Sequence, residues 1–267
     1  MDPATIIGIL LAFGSLYAMI FLEGAHVQSV LLPAPMILVF GATIAIGLAS
    51  FTMKDTISSF KAVGPAIKGS KINLEETVQE LVGFAETARS EGLLSLEQNA
   101  HEAKDPFLKK ALQNIADGTG GDDLRTMMED EIATKNKAGR GNSKFFAALG
   151  GYAPTVGIVG TVVSLTHVLE NLNKPDELGH MIAAAFVATL WGLLSSNFIW
   201  LPISSRIGRL NELEVDRMNL QLEGIMAIQE GAQPMLLTER LTAMVPQGKP
   251  AKGSKEKAEK KAENKAA

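Results

Sequence analysis

The sequence predicts an all-α membrane protein with four transmembrane helices and a large helical cytoplasmic loop between the second and the third. The first observation is that four stretches contain no Asp, Glu, Lys or Arg: Ala4–Leu22, Gly24–Met53, Phe145–Leu169 and Leu178–Ser205. Each is close to or above the ~20 residues that a helix needs to cross a bilayer. The second observation is that no β-strand pattern occurs anywhere in the chain.

The third observation is the distribution of basic residues, which also predicts the orientation. Of the 25 Lys and Arg residues, 13 lie between residues 52 and 144 and 11 lie after residue 203. Lys174 alone lies between the third and fourth stretches, and the first connection has none. Because cytoplasmic loops carry the excess of Lys and Arg, we expect both termini and the large loop to be cytoplasmic.

The large loop has the capping signals of several consecutive helices. Asn73 with Glu76 fits a capping box, and Gly92 interrupts the apolar pattern that follows. Asp105-Pro106 predicts a new helix start, and Gly118 predicts its end. A further interruption is expected at Gly139–Gly141, before the third span.

These patterns divide the chain into five predicted parts. They are two transmembrane helices at 1–53, a cytoplasmic helical domain at 54–144, transmembrane helices 3 and 4 at 145–205, a cytoplasmic C-terminal helix at 206–246 and a disordered Lys-rich tail at 247–267. The tail has no large apolar residue, so it cannot offset its ordering entropy by burial.

Small residues recur every three or four positions along one face of each of the last two spans. They are Gly150, Ala153, Gly157, Gly160 and Ser164 in the third span, and Ala185, Ala188, Gly192 and Ser195 in the fourth. Stripes of this kind let helix backbones approach closely. One interpretation is that the stripes serve only as packing faces between membrane helices. The other is that Gly150, Gly157, Gly160, Ser164, Ala185 and Gly192 pack against a membrane helix of a partner chain.

Two prolines interrupt the hydrogen bonding of these spans. Pro154 has no N–H to offer the carbonyl of Gly150, and Pro202 has none for Phe198. A freed carbonyl in a membrane is tolerated where another group satisfies it or where it lines a wet cavity.

Three threonines add hydroxyl oxygens beside these carbonyls. Thr155 and Thr161 lie in the third span and Thr189 in the fourth. Together with Pro154 they predict an oxygen-rich path that suits a small hard cation. An alternative is that the threonine hydroxyls only satisfy backbone carbonyls of their own helices.

The composition excludes several other kinds of site. The net charge of −4 argues against a nucleic-acid partner, and the absence of cysteine excludes thiol chemistry. The four histidines lack metal-ligand spacing, no cofactor is predicted, and no enzymatic constellation is apparent. Because ion relays in membranes usually depend on an ionisable group and no span has an acidic or basic one, we expect the carboxylate to come from another chain.

Several segments in order resemble the MotA/PomA family, the A subunit of the bacterial flagellar stator. They are "FGAT" at 40–43, "ARSEGLLSLE" at 88–97, "YAPTVGIVGTV" from residue 152 and "AFVATLWGLLSSNFIWLPI" at 185–203. The resemblance covers residues 1 to about 240. One departure is the first connection at 23–36, which is longer than is usual in the family and either extends the second helix or forms an outer rim.

The resemblance implies an assembly and a mechanism. Five copies would surround two transmembrane helices of a MotB/PomB-type partner in the bacterial inner membrane, and the partner's aspartate would carry the ion. Pro154 and Pro202 match the family prolines that are linked to torque.

The resemblance also implies roles for four polar residues. Thr161 and Thr189 match the threonines that line the ion path of sodium-type stators, which favours transient Na⁺ binding over H⁺ transport. Arg89 and Glu97 match the charged pair that engages the rotor protein FliG.

Three other functions compete with this prediction. An ExbB/TolQ-type energiser of outer-membrane machinery shares the last two spans and their threonines, but normally has three helices. A purely structural scaffold predicts that Thr161 and Pro154 are dispensable for motility. A membrane enzyme is the weakest of the three.

Overall fold

The computed structural model describes residues 4–69 and 72–246, so the predicted tail at 247–267 lies outside the described residues. Every regular element in these ranges is helical. The α-helices are α1 (Ala4–Leu22), α2 (Pro33–Ser50), α3 (Met53–Lys68), α4 (Leu74–Glu91), α5 (Leu96–Glu102), α6 (Pro106–Ala116), α7 (Gly121–Glu170), α8 (Pro175–Leu194), α9 (Leu201–Gln229) and α10 (Pro234–Met244). A π-turn over Ser195–Trp200 joins α8 to α9, and short 3₁₀ turns cover Val27–Val30 and Leu93–Ser95.

The helices form two compact units. Among the described residues, the first, called here the membrane unit after its predicted location, contains residues 4–69 and 133–215. The second, called here the cytoplasmic unit after its predicted location, contains residues 72–132 and 216–246. The predicted domain boundaries instead follow the ends of the charge-free stretches, and they stay predictions.

Within residues 4–69 and 72–246, three helices are long and apolar enough to cross a membrane. The qualifying segments are Pro33–Ser50, Gly121–Glu170 and Pro175–Gln229, and they contain the second, third and fourth predicted spans. The apolar part of α1 is shorter, at Ile6–Leu22. A transmembrane role for α1 therefore stays a prediction.

An aromatic cluster forms the core of the membrane unit. Phe145 and Phe146 at the start of the third span are buried and pack edge to face, with ring centroids 5.3 Å apart. Phe51 and Phe60 pack edge to face on Phe145, and Trp200 stacks on Phe146. Aromatic pairs of this geometry contribute beyond their buried area, so the cluster fixes α2, α3, α7 and the π-turn against each other.

The first connection at 23–36 is divided between a separate turn and the start of α2. It forms the 3₁₀ turn at Val27–Val30, and α2 begins at Pro33. The indole N–H of Trp191 donates to the carbonyl of Val30 at 2.6 Å, which ties the connection to α8. Residues 33–36 thus extend α2, and an outer rim formed by the rest of the connection stays a prediction.

The predicted caps of the cytoplasmic unit are confirmed. The side chain of Asn73 accepts from the amides of Glu75 and Glu76, and Asp105 accepts from Phe107. Gly92 and Gly118 have φ of +87° and +79°, a region that favours glycine, and they end α4 and α6.

The predicted interruption at Gly139–Gly141 is wrong, because α7 continues through both glycines. The reason is tertiary packing. A Cβ at position 139 would overlap the side chain of Asn211 on α9, whereas position 141 has no atom within 4 Å. Gly139 therefore permits close approach of two helices, and its low helix propensity is outweighed by that contact.

Candidate functional site

The glycines of α7 and α8 bring these two helices into close contact. A Cβ at Gly157 would lie 2.9 Å from the carbonyl oxygen of Ala188 and 3.1 Å from the Cα of Gly192. A Cβ at Gly192 would lie 2.9 Å from the carbonyl oxygen of Ala153. The two 2.9 Å distances to carbonyl oxygens are too short for a real Cβ atom, so only glycine fits where the two backbones meet.

This contact agrees with the interpretation that the small residues are packing faces between the chain's own helices, and their packing against a partner chain stays a prediction. The faces of Gly157, Gly160 and Gly192 are occupied by the chain's own helices, and a Cβ at Gly150 would lie 2.6 Å from Leu201. Ala185 is also buried within the chain. The physical reason is that small residues let any two helix backbones approach closely, and here α7 and α8 use these residues to pack on each other.

Ser164 has a different environment from these glycines. It is half-buried in the chain. Its predicted contact with a partner helix stays a prediction.

The close approach of α7 and α8 brings four oxygen atoms together, here called the oxygen cluster. They are the hydroxyls of Thr161 and Thr189, which contact each other directly, and the carbonyls of Gly157 and Ala185, which lie 3.1 and 3.2 Å from the Thr161 hydroxyl. Thr161 and Thr189 are both half-buried. The two threonines predicted for the ion path are thus neighbours.

The cluster has more oxygen lone pairs than protons to share among them. Each hydroxyl carries one proton, and each carbonyl oxygen accepts without donating. A Thr161 hydroxyl that donates to Gly157 cannot at the same time donate to Ala185. This surplus of acceptors in a membrane helix pair is what a hard cation would use, since such ions take carbonyl, hydroxyl and water oxygens.

The third predicted threonine lies elsewhere. Thr155 is exposed, and its hydroxyl donates to the carbonyl of Tyr152 on its own helix at 2.7 Å. It satisfies a local backbone group, which is the alternative that the sequence left open for the hydroxyls.

The carbonyl freed by Pro154 has a specific partner. The hydroxyl of Ser196 donates to the Gly150 carbonyl at 2.6 Å, and Ser196 is buried at 3% exposure. The carbonyl is therefore satisfied by a side chain of the π-turn instead of lining an open cavity. The sequence located the orphan group but not its donor, because the two residues are 46 positions apart.

Pro202 lies just after the π-turn, in the first turn of α9. The amide of Leu201 donates to the carbonyl of Ser196, five residues back, in place of the four-residue α-helical register. A single turn of this kind inside a helix is rare and occurs often at functional sites. It widens the helix at the point where Pro202 would otherwise disturb the hydrogen-bond ladder.

Arg89 and Glu97 lie on opposite sides of a sharp turn in the cytoplasmic unit. Arg89 is in the last turn of α4, Glu97 is in the first turn of α5, and both are exposed. Arg89 also borders a small cavity of about 200 Å³, and Glu97 borders a separate one of about 440 Å³.

A half-buried charge network holds the base of α6. The Asp105 carboxylate accepts from Gln221 at 2.7 Å and pairs with Arg217 at 3.0 Å. Burial raises the pKa of the nearby Glu80 carboxyl above its ordinary value of 4.5, and the negative charge of Asp105 raises it further while Arg217 opposes the shift. Glu80 therefore holds its proton to a higher pH than an ordinary glutamate.

Within residues 4–69 and 72–246, no group of three or more His, Asp or Glu side chains is arranged to hold a metal ion.

Two family models match the chain. The MotA/TolQ/ExbB proton channel family matches residues 99–220, and the motility protein A N-terminal family matches residues 6–92.

Known proteins of similar length match almost the whole chain. It is 31% identical to motility protein A of Bacillus subtilis, over 92% of both chains. It is 28% identical to the chemotaxis protein PomA of Vibrio alginolyticus, over 93% of this chain and 97% of that one. Its fold matches a chain in the structure of C. jejuni MotAB with a TM-score of 0.90 and 28% identity, over 94% of this chain and 98% of that one.

Proposed function

Because the chain belongs to the motility protein A branch of the MotA/TolQ/ExbB proton channel family, we propose that it forms an ion-driven stator with a MotB-type partner. A solved structure to which it is 31% identical is that of the flagellar MotAB stator complex from Bacillus subtilis, so it is a flagellar motor stator subunit and not an enzyme. The four charge-free stretches of the sequence supply no acidic side chain, so we propose that the partner contributes the carboxylate that carries the ion.

The oxygen cluster supports Na⁺ as the transported ion. It places four oxygens on two adjacent helices, including the paired hydroxyls of Thr161 and Thr189. With a carboxylate from the partner and water, these would complete a hard-cation shell, whereas a proton carrier needs no such ligands. The transient site would hold one ion during transport, and no resident cofactor is required.

Swimming speed as a function of external Na⁺ at fixed pH tests this assignment. In cells whose only stator contains this chain, we expect speed to rise with Na⁺ and to be insensitive to pH at constant Na⁺. Sodium-independent swimming would reject Na⁺ in favour of H⁺ without affecting the family assignment.

Two substitutions connect this test to the cluster. Thr161→Ala removes a cluster hydroxyl and should shift the Na⁺ dependence to higher concentration, while Thr161→Ser keeps the hydroxyl and should restore it. Thr166→Ala is the matched control, since the exposed Thr166 hydroxyl only donates to Val162 on the same helix. Equal responses of the Thr161 and Thr166 alanine variants would reject the role of the cluster.

Pro154 and Pro202 are proposed to let the two inner spans change shape during the ion cycle. Each lies within a helix at a point where regular hydrogen bonding is replaced, by the Ser196 hydroxyl at one and by the π-turn at the other. Bends at such points cost little because the ladder is already interrupted. Motility lost at normal expression and assembly in Pro154→Leu would support this role over a scaffold.

Contact with a rotor protein of the FliG type is proposed for the exposed charges Arg89 and Glu97. Their side chains are on the outside of the cytoplasmic unit, where charged pairs steer and orient a partner. In a pull-down with the rotor protein, charge reversal at Arg89 should weaken binding, and charge reversal at the exposed Glu86 on the same helix is the control.

The same pull-down distinguishes a stator from an ExbB/TolQ-type energiser, which would bind a TonB-like partner instead. The match to the motility protein A N-terminal family favours the stator.

The assembly and orientation follow from the same family membership. We propose a homopentamer around two partner helices in the bacterial inner membrane, with both termini and the cytoplasmic unit inside the cell. Exposed apolar side chains on α7 and α8, such as Val162 and Phe186, are available for contacts between subunits. The mass of the purified complex and protease accessibility of each terminus test these two statements.

A further inference from the structure

An open groove of about 560 Å³ lies within the membrane unit, between α1 and the π-turn with the first residues of α9. The wall on α1 is low because Gly8 and Ala12, one helical turn apart, line it. The opposite wall is formed by Phe198 and Pro202, where the π-turn widens the helix. Sequence reasoning used Pro202 but assigned nothing to this groove.

The groove has a single charged residue among those that line it. Arg206 stands at one end and is the first charge after the fourth apolar stretch. Its Nε donates to the carbonyl of Ala66 at 3.4 Å, which helps to hold the guanidinium at this end. The remaining lining is mostly apolar or small, so the groove has a cationic mouth and an apolar interior.

The length of the groove matches one leaflet of a membrane. From Arg206 to Asn197, nine residues of helix span about 13 Å at ~1.5 Å per residue. That is close to half of a ~30 Å hydrocarbon core. At the inner end, Phe198 packs edge to face on Phe13 with ring centroids 5.4 Å apart, which ties the two walls together.

We propose that this groove binds an anionic phospholipid of the leaflet on the Arg206 side, with an acyl chain along the groove and the phosphate at Arg206. Basic pockets between transmembrane helices on the cytoplasmic side are suited to anionic headgroups. A helix of another chain fits less well, because it would need a complementary surface through the full depth of the membrane. The groove instead stops after one leaflet.

Native mass spectrometry of the assembled full-length protein tests the proposal, with phosphatidylglycerol or phosphatidylcholine added in detergent. Gly8→Leu fills the groove and should weaken phosphatidylglycerol binding about tenfold. Gly14→Leu is the matched control, because both glycines lie on α1, neither has an atom within 4 Å of an added Cβ, and Gly14 does not line the groove. Equal lipid binding by the two variants would overturn the proposal.

The headgroup half of the proposal has its own test. Arg206→Gln should weaken phosphatidylglycerol binding about fivefold and leave phosphatidylcholine unchanged, with the exposed Arg209→Gln as control. Ser205→Glu places a negative charge at the same mouth on an exposed residue, and it keeps the test valid if Arg206→Gln fails to fold. A crosslink from position 8 to another protein chain instead of lipid would overturn the assignment. None of these readouts depends on motor function.

Discussion

Replacement of Ser196 by alanine tests whether the π-turn exists to satisfy the carbonyl that Pro154 orphans. The Ser196 hydroxyl donates to the Gly150 carbonyl at 2.6 Å, and Ser196 is only 3% exposed. Removing the donor leaves a buried carbonyl without a partner, since the residue four positions later has no N–H. A buried polar group left unsatisfied costs about 1–3 kcal/mol, so we expect that loss in the free energy of unfolding.

The neighbouring serine provides a matched control. Ser195 is equally buried, but its hydroxyl donates to Gly192, three residues back in its own helix, at 3.3 Å. The amide of Ser195 also donates to that carbonyl, so the Gly192 oxygen keeps a partner in Ser195→Ala. This variant should therefore lose less than the Ser196 variant, no more than about 1 kcal/mol.

A double-mutant cycle identifies the cause. Pro154→Ala restores an N–H that can reach the Gly150 carbonyl, so Ser196→Ala should cost at least about 1 kcal/mol less in that background. The assay is reversible unfolding of the purified chain in mixed detergent micelles, followed by circular dichroism. The reasoning is refuted if Ser196→Ala changes stability by less than about 0.5 kcal/mol, or costs the same with and without Pro154.

Three further predictions test the packing and the electrostatics. Gly157→Ala should destabilise the membrane unit by about 1–3 kcal/mol through overpacking, measured by the same unfolding assay, whereas Gly151→Ala on the same helix has open space and should not. Gly139→Ala should destabilise the chain because the added Cβ overlaps the side chain of Asn211 on α9. Gly141→Ala should stabilise the chain by up to about 1 kcal/mol through helix propensity. Changes of the same sign in the two variants would contradict the packing argument. The raised pKa of Glu80 means that its contribution to stability is present at low pH and is lost as the pH rises. Glu80→Gln should therefore stabilise the chain relative to wild type at neutral pH. The difference should vanish as the pH falls below the ordinary carboxyl pKa near 4.5. A pH-independent difference would contradict this last prediction.

The fold was predictable where its signals are local. The caps at Asn73 and Asp105 and the positive-φ glycine at Gly118 are read within four residues of the chain, and the structure has all three. The continuity of α7 through Gly139 was not predictable, because it depends on a residue on another helix. The π-turn was also missed, since its five-residue register leaves no distinct sequence pattern.

The candidate site shows the same division between local and long-range causes. The sequence singled out Thr161 and Thr189 from their residue types, but their contact depends on how close α7 and α8 come. That separation is set by Gly157 and Gly192, where neither backbone has room for a Cβ. These glycines of the small-residue stripes are therefore what makes the two hydroxyls neighbours. A side chain at either position would push the helices apart and separate the oxygens, so packing and the ion selectivity proposed for this site should change together.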